Sequence, residues 1–159
     1  MFGRGLIAAF LVIALAAPAA AQEKHPPYWA SIASGLAMMR TGPARVYPGT
    51  WLYQRRDLPV LVLKRYQNWR LIRDPSGTQG WMLSTLLSDR RTAIVRPGDP
   101  RPMYSGTGPA DQVRYRAEPG VVGRIDKCRD GWCRFTVGQR QGYISTADIW
   151  GVGRHEVLD

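Results

Sequence analysis

Histidine, cysteine and lysine are scarce in this 159-residue chain, which contains two, two and three of them. The histidines, His25 and His155, lie in segments that the pattern does not predict to be rigid. The chain therefore offers no Ser-His-Asp or Cys-His pair and no tetrahedral zinc ligand set. Glycine-rich phosphate-binding motifs are also absent. We expect no catalytic residue, no metal site and no cofactor, so an enzyme is the least favoured class.

Long hydrophobic runs are limited to one, at the N-terminus. Gly5–Ala17 is apolar, follows the basic residue Arg4 and precedes the small residues Ala19–Ala21. This order is typical of a secretory signal peptide, and the run is shorter than the roughly 20 residues that span a bilayer. We expect residues 1–21 to be removed, leaving a periplasmic or secreted protein without stable membrane insertion. An uncleaved membrane anchor is the alternative.

Acidic side chains are outnumbered by basic ones, 12 to 22, and the chain has a net charge of +10. Nineteen of the basic residues are arginines, and they are scattered along the chain with no more than two in succession. Positive charge attracts anionic partners such as cell-wall polymer, lipid headgroups or nucleic acid. A compositional bias towards arginine explains the scattered pattern better than a specific polyanion site does. Because the protein is expected to be exported, we predict no nucleic-acid partner.

The two cysteines flank a predicted β-hairpin. Asp130-Gly131 between short alternating segments is a strong signal for a two-residue turn, and this turn places Cys128 opposite Cys133. Opposed residues in such a ladder are about 4.5–5.5 Å apart at Cα, which is within disulfide range. In an oxidising compartment we expect this bond to form and to staple one hairpin. Two free buried thiols are the alternative.

The chain after the apolar N-terminus shows short apolar or alternating segments separated by Gly, Pro and Asp clusters, which is the all-β pattern. The predicted strands are Leu36–Arg40, Pro59–Tyr66, Trp69–Arg73, Gly80–Leu83, Val121–Cys128, Trp132–Val137 and Gly142–Ser145. Two anchors recur at nearly one spacing: Trp69 and Trp132 are 63 residues apart, and Trp81 and Tyr143 are 62 apart. This period predicts two tandem modules.

The first module carries motifs of a known family. Its residues 36–43 read LAMMRTGP, and Tyr47-Pro48, Trp69 and Gly80-Trp81 follow. This series resembles the L-N-V-R-S-G-P…Y-P, W-x-x-V and G-W elements of bacterial SH3-like (SH3b) domains. The second module carries the related segments Gly131-Trp132, Gly142-Tyr143 and Trp150-Gly151. Over residues 28–152 the chain is similar to secreted tandem SH3-like proteins of alphaproteobacteria.

The resemblance implies an all-β fold of two tandem, small, partly open SH3-like barrels with five or six strands each. We place the first domain at residues 28–88, a linker at 89–100, the second, more divergent domain at 101–152 and a tail at 153–159. A 60-residue domain buries only about 60% of its unfolded surface. We therefore expect the two domains to pack on each other, with Trp150 and the tail contributing.

Aromatic residues supply the candidate binding site. Successive residues of a strand point to alternate faces, so Trp69 and Ile72 point to different faces of their strand, and so do Trp132 and Phe135. If Ile72 and Phe135 point into the barrels, the tryptophans point out or lie along a rim, and the resemblance implies that this position borders a ligand groove. The candidate ligand-binding residues are Tyr47, Trp69 and Trp81 in the first domain and Tyr115, Trp132 and Tyr143 in the second. Packing between the barrels, or capping of each core, explains these aromatics equally well.

These features favour a non-catalytic exported binding module that recognises a cell-envelope component, either a peptide or peptidoglycan. The A-L-Y-D-Y and S-N-Y motifs of polyproline-binding SH3 domains are absent, so polyproline recognition is not expected. One alternative is a periplasmic interaction scaffold with an envelope protein as its partner, in which the aromatics pack the two domains or an oligomer. A third is an accessory domain protein of a cell-wall hydrolase system.

Overall fold

The computed structural model describes residues 24–159, so the predicted signal peptide lies outside the described residues. The first seven strands are β1 Tyr28–Ile32, β2 Ala37–Arg40, β3 Gly49–Tyr53, β4 Pro59–Tyr66, β5 Trp69–Arg73, β6 Gln79–Leu83 and β7 Leu87–Ser88. The second seven are β8 Thr92–Val95, β9 Arg101–Tyr104, β10 Val113–Ala117, β11 Val122–Arg129, β12 Trp132–Val137, β13 Arg140–Ser145 and β14 Ile149–Trp150. A single turn of 3-10 helix covers Ser84–Leu86. Within residues 24–159 there is no helix of the length and apolarity that crossing a membrane requires.

The two sheets have the same topology. The strand order is β3-β2-β6-β5-β4-β1-β7 in the first and β10-β9-β13-β12-β11-β8-β14 in the second, so adding seven to each strand of the first gives the second. The predicted all-β fold with two tandem copies is confirmed. Each copy has seven strands where five or six were expected, and the last strand of each sheet has only two residues.

The predicted linker, residues 89–100, is not a simple connection. Thr92–Val95 forms β8, which pairs with β11 and β14 inside the second sheet. Ala93 and Val95 are buried in the second core. This segment alternates too briefly to stand out in the sequence, and it becomes a strand because two partners distant in sequence satisfy its backbone.

The stapled hairpin has the predicted turn. Asp130 and Gly131 both have positive φ, 51° and 82°, as a type I′ turn requires. The Cys128–Cys133 disulfide is present, with the two Cα atoms 4.0 Å apart. The register shifts between Asp126 and Arg129, which indicates a β-bulge beside the turn.

The domains pack on each other through aromatic, apolar and hydrogen-bonded contacts. The rings of Trp29 and Trp150 meet edge to face with centroids 4.8 Å apart. Arg55 donates a hydrogen bond of 2.8 Å to the Gly120 carbonyl, and the Thr92 hydroxyl donates one of 2.7 Å to the Asp57 carbonyl. Two second-domain residues also pack against the first core, namely Ile94 and Val122.

The C-terminal tail is docked on the second domain. Arg91 donates to both carboxylate oxygens of Glu156, and the Gly153 amide donates to Glu156 as well. The Leu158 amide donates to the Cys128 carbonyl over 3.0 Å. Burial by itself would raise the pKa of Glu156, but the hydrogen bonds from Arg91 and Gly153 outweigh it and lower that pKa from its ordinary value of 4.5.

Acidification is therefore expected to release the tail. A carboxyl whose folded pKa is lowered stabilises the docked state fully above its unfolded pKa, and this stabilisation is lost as the pH falls through the folded pKa. As the pH falls from neutral to values below 4.5, the protection of the amides in residues 153–159, measured relative to their intrinsic exchange rate at each pH, should decrease. The Glu156→Gln variant should show low protection at neutral pH already and a smaller change on acidification. Equal acid dependence in both proteins would contradict the assignment.

Candidate functional site

The register of the second sheet brings three aromatic side chains to its outer face. Phe135 and Cys133 are fully buried on the inner face, so Trp132 and Arg134 point outward, as the alternation predicts. Arg134 lies opposite Tyr143, and Tyr143 lies opposite Tyr104 on the next strand. The rings of Trp132 and Tyr104 meet edge to face with centroids 5.6 Å apart. We call Tyr104, Trp132 and Tyr143 the outer aromatic face.

An ion pair between Arg134 and Asp126 borders the outer aromatic face. Arg134 Nε and Nη2 donate hydrogen bonds of 2.6 and 2.7 Å to the two carboxylate oxygens of Asp126. These bonds from Arg134 lower the pKa of Asp126 below its usual range, so the pair stays charged at neutral pH. Arg124 lies 3.8 Å from the same carboxylate and its side chain is 60% exposed, so two arginines share one carboxylate and the surface beside the aromatic rings keeps a positive charge.

Tyr115, the third candidate of the second domain, lies on the other side of the sheet. It pairs with Met103, which is buried on the inner face, whereas Tyr143 pairs with the adjacent residue Tyr104. Successive residues of a strand point to opposite faces, so Tyr115 is separated from Trp132 and Tyr143 by the sheet itself. Its side chain is 38% exposed near the open edge. The expected groove of Tyr115, Trp132 and Tyr143 is thus two separate surfaces.

The first domain brings Trp69 and Trp81 to the corresponding outer face, where Trp69 is more buried than Trp81. Trp69 lies opposite Leu83 and Tyr66, and Trp81 lies opposite Leu71. Trp69 is only 7% exposed, although it is outside the core cluster, so it is not the open rim residue that alternation suggested. Trp81 is half-buried.

Tyr47 lies in the β2–β3 loop and is 44% exposed. Its ring covers Gly42, where a Cβ would come within 2.6 Å of the ring carbons. Arg40, which lies opposite Trp81, donates a hydrogen bond of 2.8 Å to the Tyr47 carbonyl. Arg40 therefore links the loop that carries Tyr47 to the strand pair that carries Trp81.

The matching loop of the second domain has the same backbone and a different side chain. Asp111 donates its amide to Gly108 as Tyr47 does to Ala44. The Asp111 carboxylate occupies the place over Gly106 that the tyrosine ring occupies in the first domain. The two copies thus offer different surfaces: an exposed ring at the first loop, and a carboxylate at the second.

Sequence reasoning missed Tyr104 because the family opening has a basic residue there. Arg40 stands at the equivalent position of the first domain, since both residues lie opposite the outer aromatic of the next strand. The sequence did contain a signal for Tyr104: the segment Tyr104-Ser105-Gly106 aligns with Arg40-Thr41-Gly42 of the first domain. This alignment predicts Tyr104 as a third aromatic residue on the outer face.

The buried carboxylate of Asp74 has a structural role in the first domain. One of its oxygens accepts a 2.9 Å hydrogen bond from the Tyr53 hydroxyl, and the other accepts bonds from the amides of Ser76 and Thr78. Burial, reinforced by the Asp74 carboxylate, raises the pKa of Tyr53 above its usual range. These contacts tie the turn between β5 and β6 to strand β3. Residues 24–159 contain no cluster of three or more potential metal ligands.

The chain belongs to the bacterial SH3 domain family, whose sequence pattern it matches twice, at residues 33–89 and 98–151. In each copy the match begins after the first strand, since β1 and β8 lie outside the matched segments. No curated protein matches the chain.

Two solved structures resemble it at low similarity, NlpC1 and NlpC2 from Trichomonas vaginalis. The sequence identities are 12% and 13%, and the TM-scores are 0.36 and 0.35. The matches cover 81% and 80% of this chain, and 47% and 49% of the two structures. The chain thus spans about half the length of each.

Proposed function

We propose that this protein is a non-catalytic, exported binding module that recognises a cell-envelope component, a peptide or peptidoglycan, through the outer aromatic face of its second domain. Bacterial SH3 domains commonly bind cell-wall components. The observation that carries the proposal is the edge-to-face pair of Trp132 and Tyr104 with Tyr143 on the strand between them. Tyrosine and tryptophan combine a large apolar surface with one polar group, which is the composition of binding hot spots.

The hydrogen bonds of Arg134 favour stacking and hydrogen bonding by the aromatic residues over ion pairing through Arg134. Two hydrogen bonds hold Arg134 on Asp126, and releasing it for a ligand would leave Asp126 only its longer, 3.8 Å ion pair with Arg124. Removal of residues 1–21 takes away Arg4 and lowers the net charge from +10 to +9; this charge attracts anionic wall polymer at long range, and salt screens that attraction. We therefore expect association to slow as salt is added, while contacts at the outer aromatic face persist at physiological ionic strength.

Export is the second part of the proposal. The charged, apolar and small residues of positions 1–21 supply the signal. The Cys128–Cys133 bond is the kind of cross-link that persists in an oxidising compartment. Expression of the full chain followed by N-terminal sequencing of the periplasmic fraction should give a chain starting near Gln22. Retention of the intact N-terminus in the membrane fraction would contradict export as a soluble protein.

The tryptophans that pack the two domains together are not candidate binding residues, and this supports the binding role of the outer aromatic face. Trp29 and Trp150 pack the two domains together, and neither belongs to the six candidate residues. The scaffold alternative requires the candidate aromatics themselves for such packing. Trp132 instead contacts Tyr104 of its own domain.

A pull-down with purified sacculi at physiological salt tests the proposal. The wild-type protein should be retained, and Trp132→Ala should weaken retention about tenfold or more, as loss of a hot-spot aromatic does. Tyr143→Ala should act in the same direction. Tyr115→Ala is the matched control, because this exposed tyrosine lies on the opposite side of the same sheet.

Circular dichroism should verify that each variant is folded. Absence of retention for folded wild-type protein would refute recognition of the wall polymer. Equal retention of Trp132→Ala and wild type would refute the outer aromatic face as the site. Equal losses from Tyr115→Ala and Trp132→Ala would place binding on both sides of the sheet and contradict the geometry described above.

A further inference from the structure

Each sheet ends in an edge strand, β3 in the first domain and β10 in the second. β3 pairs only with β2, and β10 pairs only with β9, within the part of the chain that the structure describes. The free side of an edge strand presents unpaired N–H and C=O groups that can accept another strand. Both strands are highly exposed: in each, only the last residue is buried.

The two edge strands have equivalent backbones. Trp51 lies opposite Met39 just as Tyr115 lies opposite Met103. The register of both pairs also shifts immediately before these aromatics, so both strands carry a bulge at the same place. Differences in how the edges behave must therefore come from their side chains.

The side chains of the two edges differ in charge. β3 reads GTWLY and has no charged residue, with Trp51 60% and Leu52 43% exposed. β10 reads VRYRA, so Arg114 and Arg116 occupy the positions that Thr50 and Leu52 occupy in β3. Charged residues on an edge strand are a known protection against strand addition. The second domain has this protection, and the first domain lacks it.

We propose that β3 is a docking surface for a second copy of this chain, with the two β3 strands pairing antiparallel about a two-fold axis at Trp51. In that arrangement Trp51 of one copy meets Trp51 of the other, and Thr50 of each faces Leu52 of the other. No like charges oppose each other within the paired strands. The same pairing through β10 would set Arg114 of each copy against Arg116 of the other, and like charges directly opposite destabilise a ladder.

Self-complementarity favours a second copy over an unrelated strand as the occupant. A two-fold interface needs one patch that fits itself, and an uncharged strand with a central tryptophan meets that condition. The paired segment is only five residues long, so the interface is at the small end of specific interfaces and its association is weak.

Charge around the strand sets the salt dependence. Arg45, Arg55 and Arg56 flank β3 in sequence, and each chain carries an overall positive charge. Repulsion between copies is screened by salt, so the dimer should strengthen as ionic strength rises. Association driven by opposite charges would show the reverse dependence.

Analytical ultracentrifugation of the purified protein over a range of concentrations tests the proposal. We expect a monomer–dimer equilibrium that shifts towards dimer at higher salt. Thr50→Arg/Leu52→Arg, which gives β3 the arginines of β10, should weaken association about tenfold or more because two like-charge pairs form across the strands. Both positions are exposed, so the fold should persist, as near-ultraviolet circular dichroism can verify.

The matched control is Arg114→Thr/Arg116→Leu, which removes the protection from β10. This variant should retain the β3 dimer and add a second self-pairing edge, giving species larger than a dimer. Hydrogen exchange locates the interface: amides of Gly49–Tyr53 should exchange more slowly in the dimer, and those of β10 should not change in the wild-type protein.

Three results would overturn the proposal. They are a wild-type protein that stays monomeric at high concentration and high salt, a dimer that survives Thr50→Arg/Leu52→Arg unchanged, and a dimer with unprotected β3 amides. A monomer that binds an extended peptide along β3 would assign the edge to a different partner, and would overturn it as well.

Discussion

Gly123→Val and Phe135→Ile are each expected to destabilise the second domain, while the double variant loses less than the sum of the two. The Phe135 ring is fully buried, and a Cβ on Gly123 would lie 2.6 Å from two of its carbons. Gly123→Val therefore overpacks the core, at a cost of about 1–3 kcal/mol. Phe135→Ile leaves a cavity, and we expect a cost of about 2 kcal/mol.

The first domain shows why the two substitutions together should cost less stability than the sum of their separate costs. At the equivalent positions of its sheet stand Val60 and Ile72, both fully buried. The double variant copies this pair into the second core, so we expect a coupling of about 1 kcal/mol or more. The carbonyl of Thr136 would also approach a Cβ at position 123, to 2.8 Å, which keeps the recovery incomplete.

Urea denaturation provides the free energies of unfolding for this cycle. The reciprocal pair Val60→Gly and Ile72→Phe in the first domain serves as the matched control, and it should show coupling of the same sign. Strictly additive costs in the second domain would mean that the glycine and the ring do not depend on each other, contrary to the packing described.

Trp150→Ala is expected to uncouple the two domains and to destabilise the protein by about 3 kcal/mol. Trp150 meets Trp29 of the first domain edge to face, with ring centroids 4.8 Å apart. Such a pair contributes about 0.5–1.5 kcal/mol of stability in addition to the free energy gained by burying its surface. Without it, fewer contacts join the domains, so a single thermal transition should separate into two.

Calorimetry of wild type, Trp150→Ala, Trp29→Ala and the double variant measures this coupling. Trp51→Ala is the matched control in dilute solution, because that side chain is 60% exposed and its loss should change stability by no more than about 0.5 kcal/mol. If Trp150→Ala still unfolds in one transition with wild-type stability, then the hydrogen bonds from Arg55 and Thr92 suffice to join the domains.

The β4–β5 and β11–β12 hairpins were predictable from local sequence, whereas β3, β9 and β10 were not predicted although each pairs with a strand adjacent in the chain. Pro59–Tyr66, Trp69–Arg73 and Trp132–Val137 have the predicted bounds, because alternation and turn residues define strands whose partners are adjacent in the chain. The disulfide followed from the same local geometry. It needed only the Asp130-Gly131 turn and the order of the flanking residues.

Strands that depend on distant partners were missed. Tyr28–Ile32 pairs with Pro59–Tyr66, and Thr92–Val95 pairs with Val122–Arg129. Their own sequences are short, and the turn residues after them, Ser34-Gly35 and Pro97-Gly98, mark where each strand ends but not which strand it pairs with. Strand formation in such segments is decided by the neighbouring strands that bond to them, and those neighbours are known only from the fold.

By itself, the sequence determined that this protein is an all-β chain of two similar copies, and that Trp69 and Trp132 point away from Ile72 and Phe135. Only the tertiary structure decided which aromatics share a surface. Trp69 is covered while Trp132 meets Tyr104, and Tyr115 lies across the sheet from Tyr143. The physical reason is that alternation specifies the face of one strand, whereas exposure and adjacency depend on the register and side chains of the strands beside it.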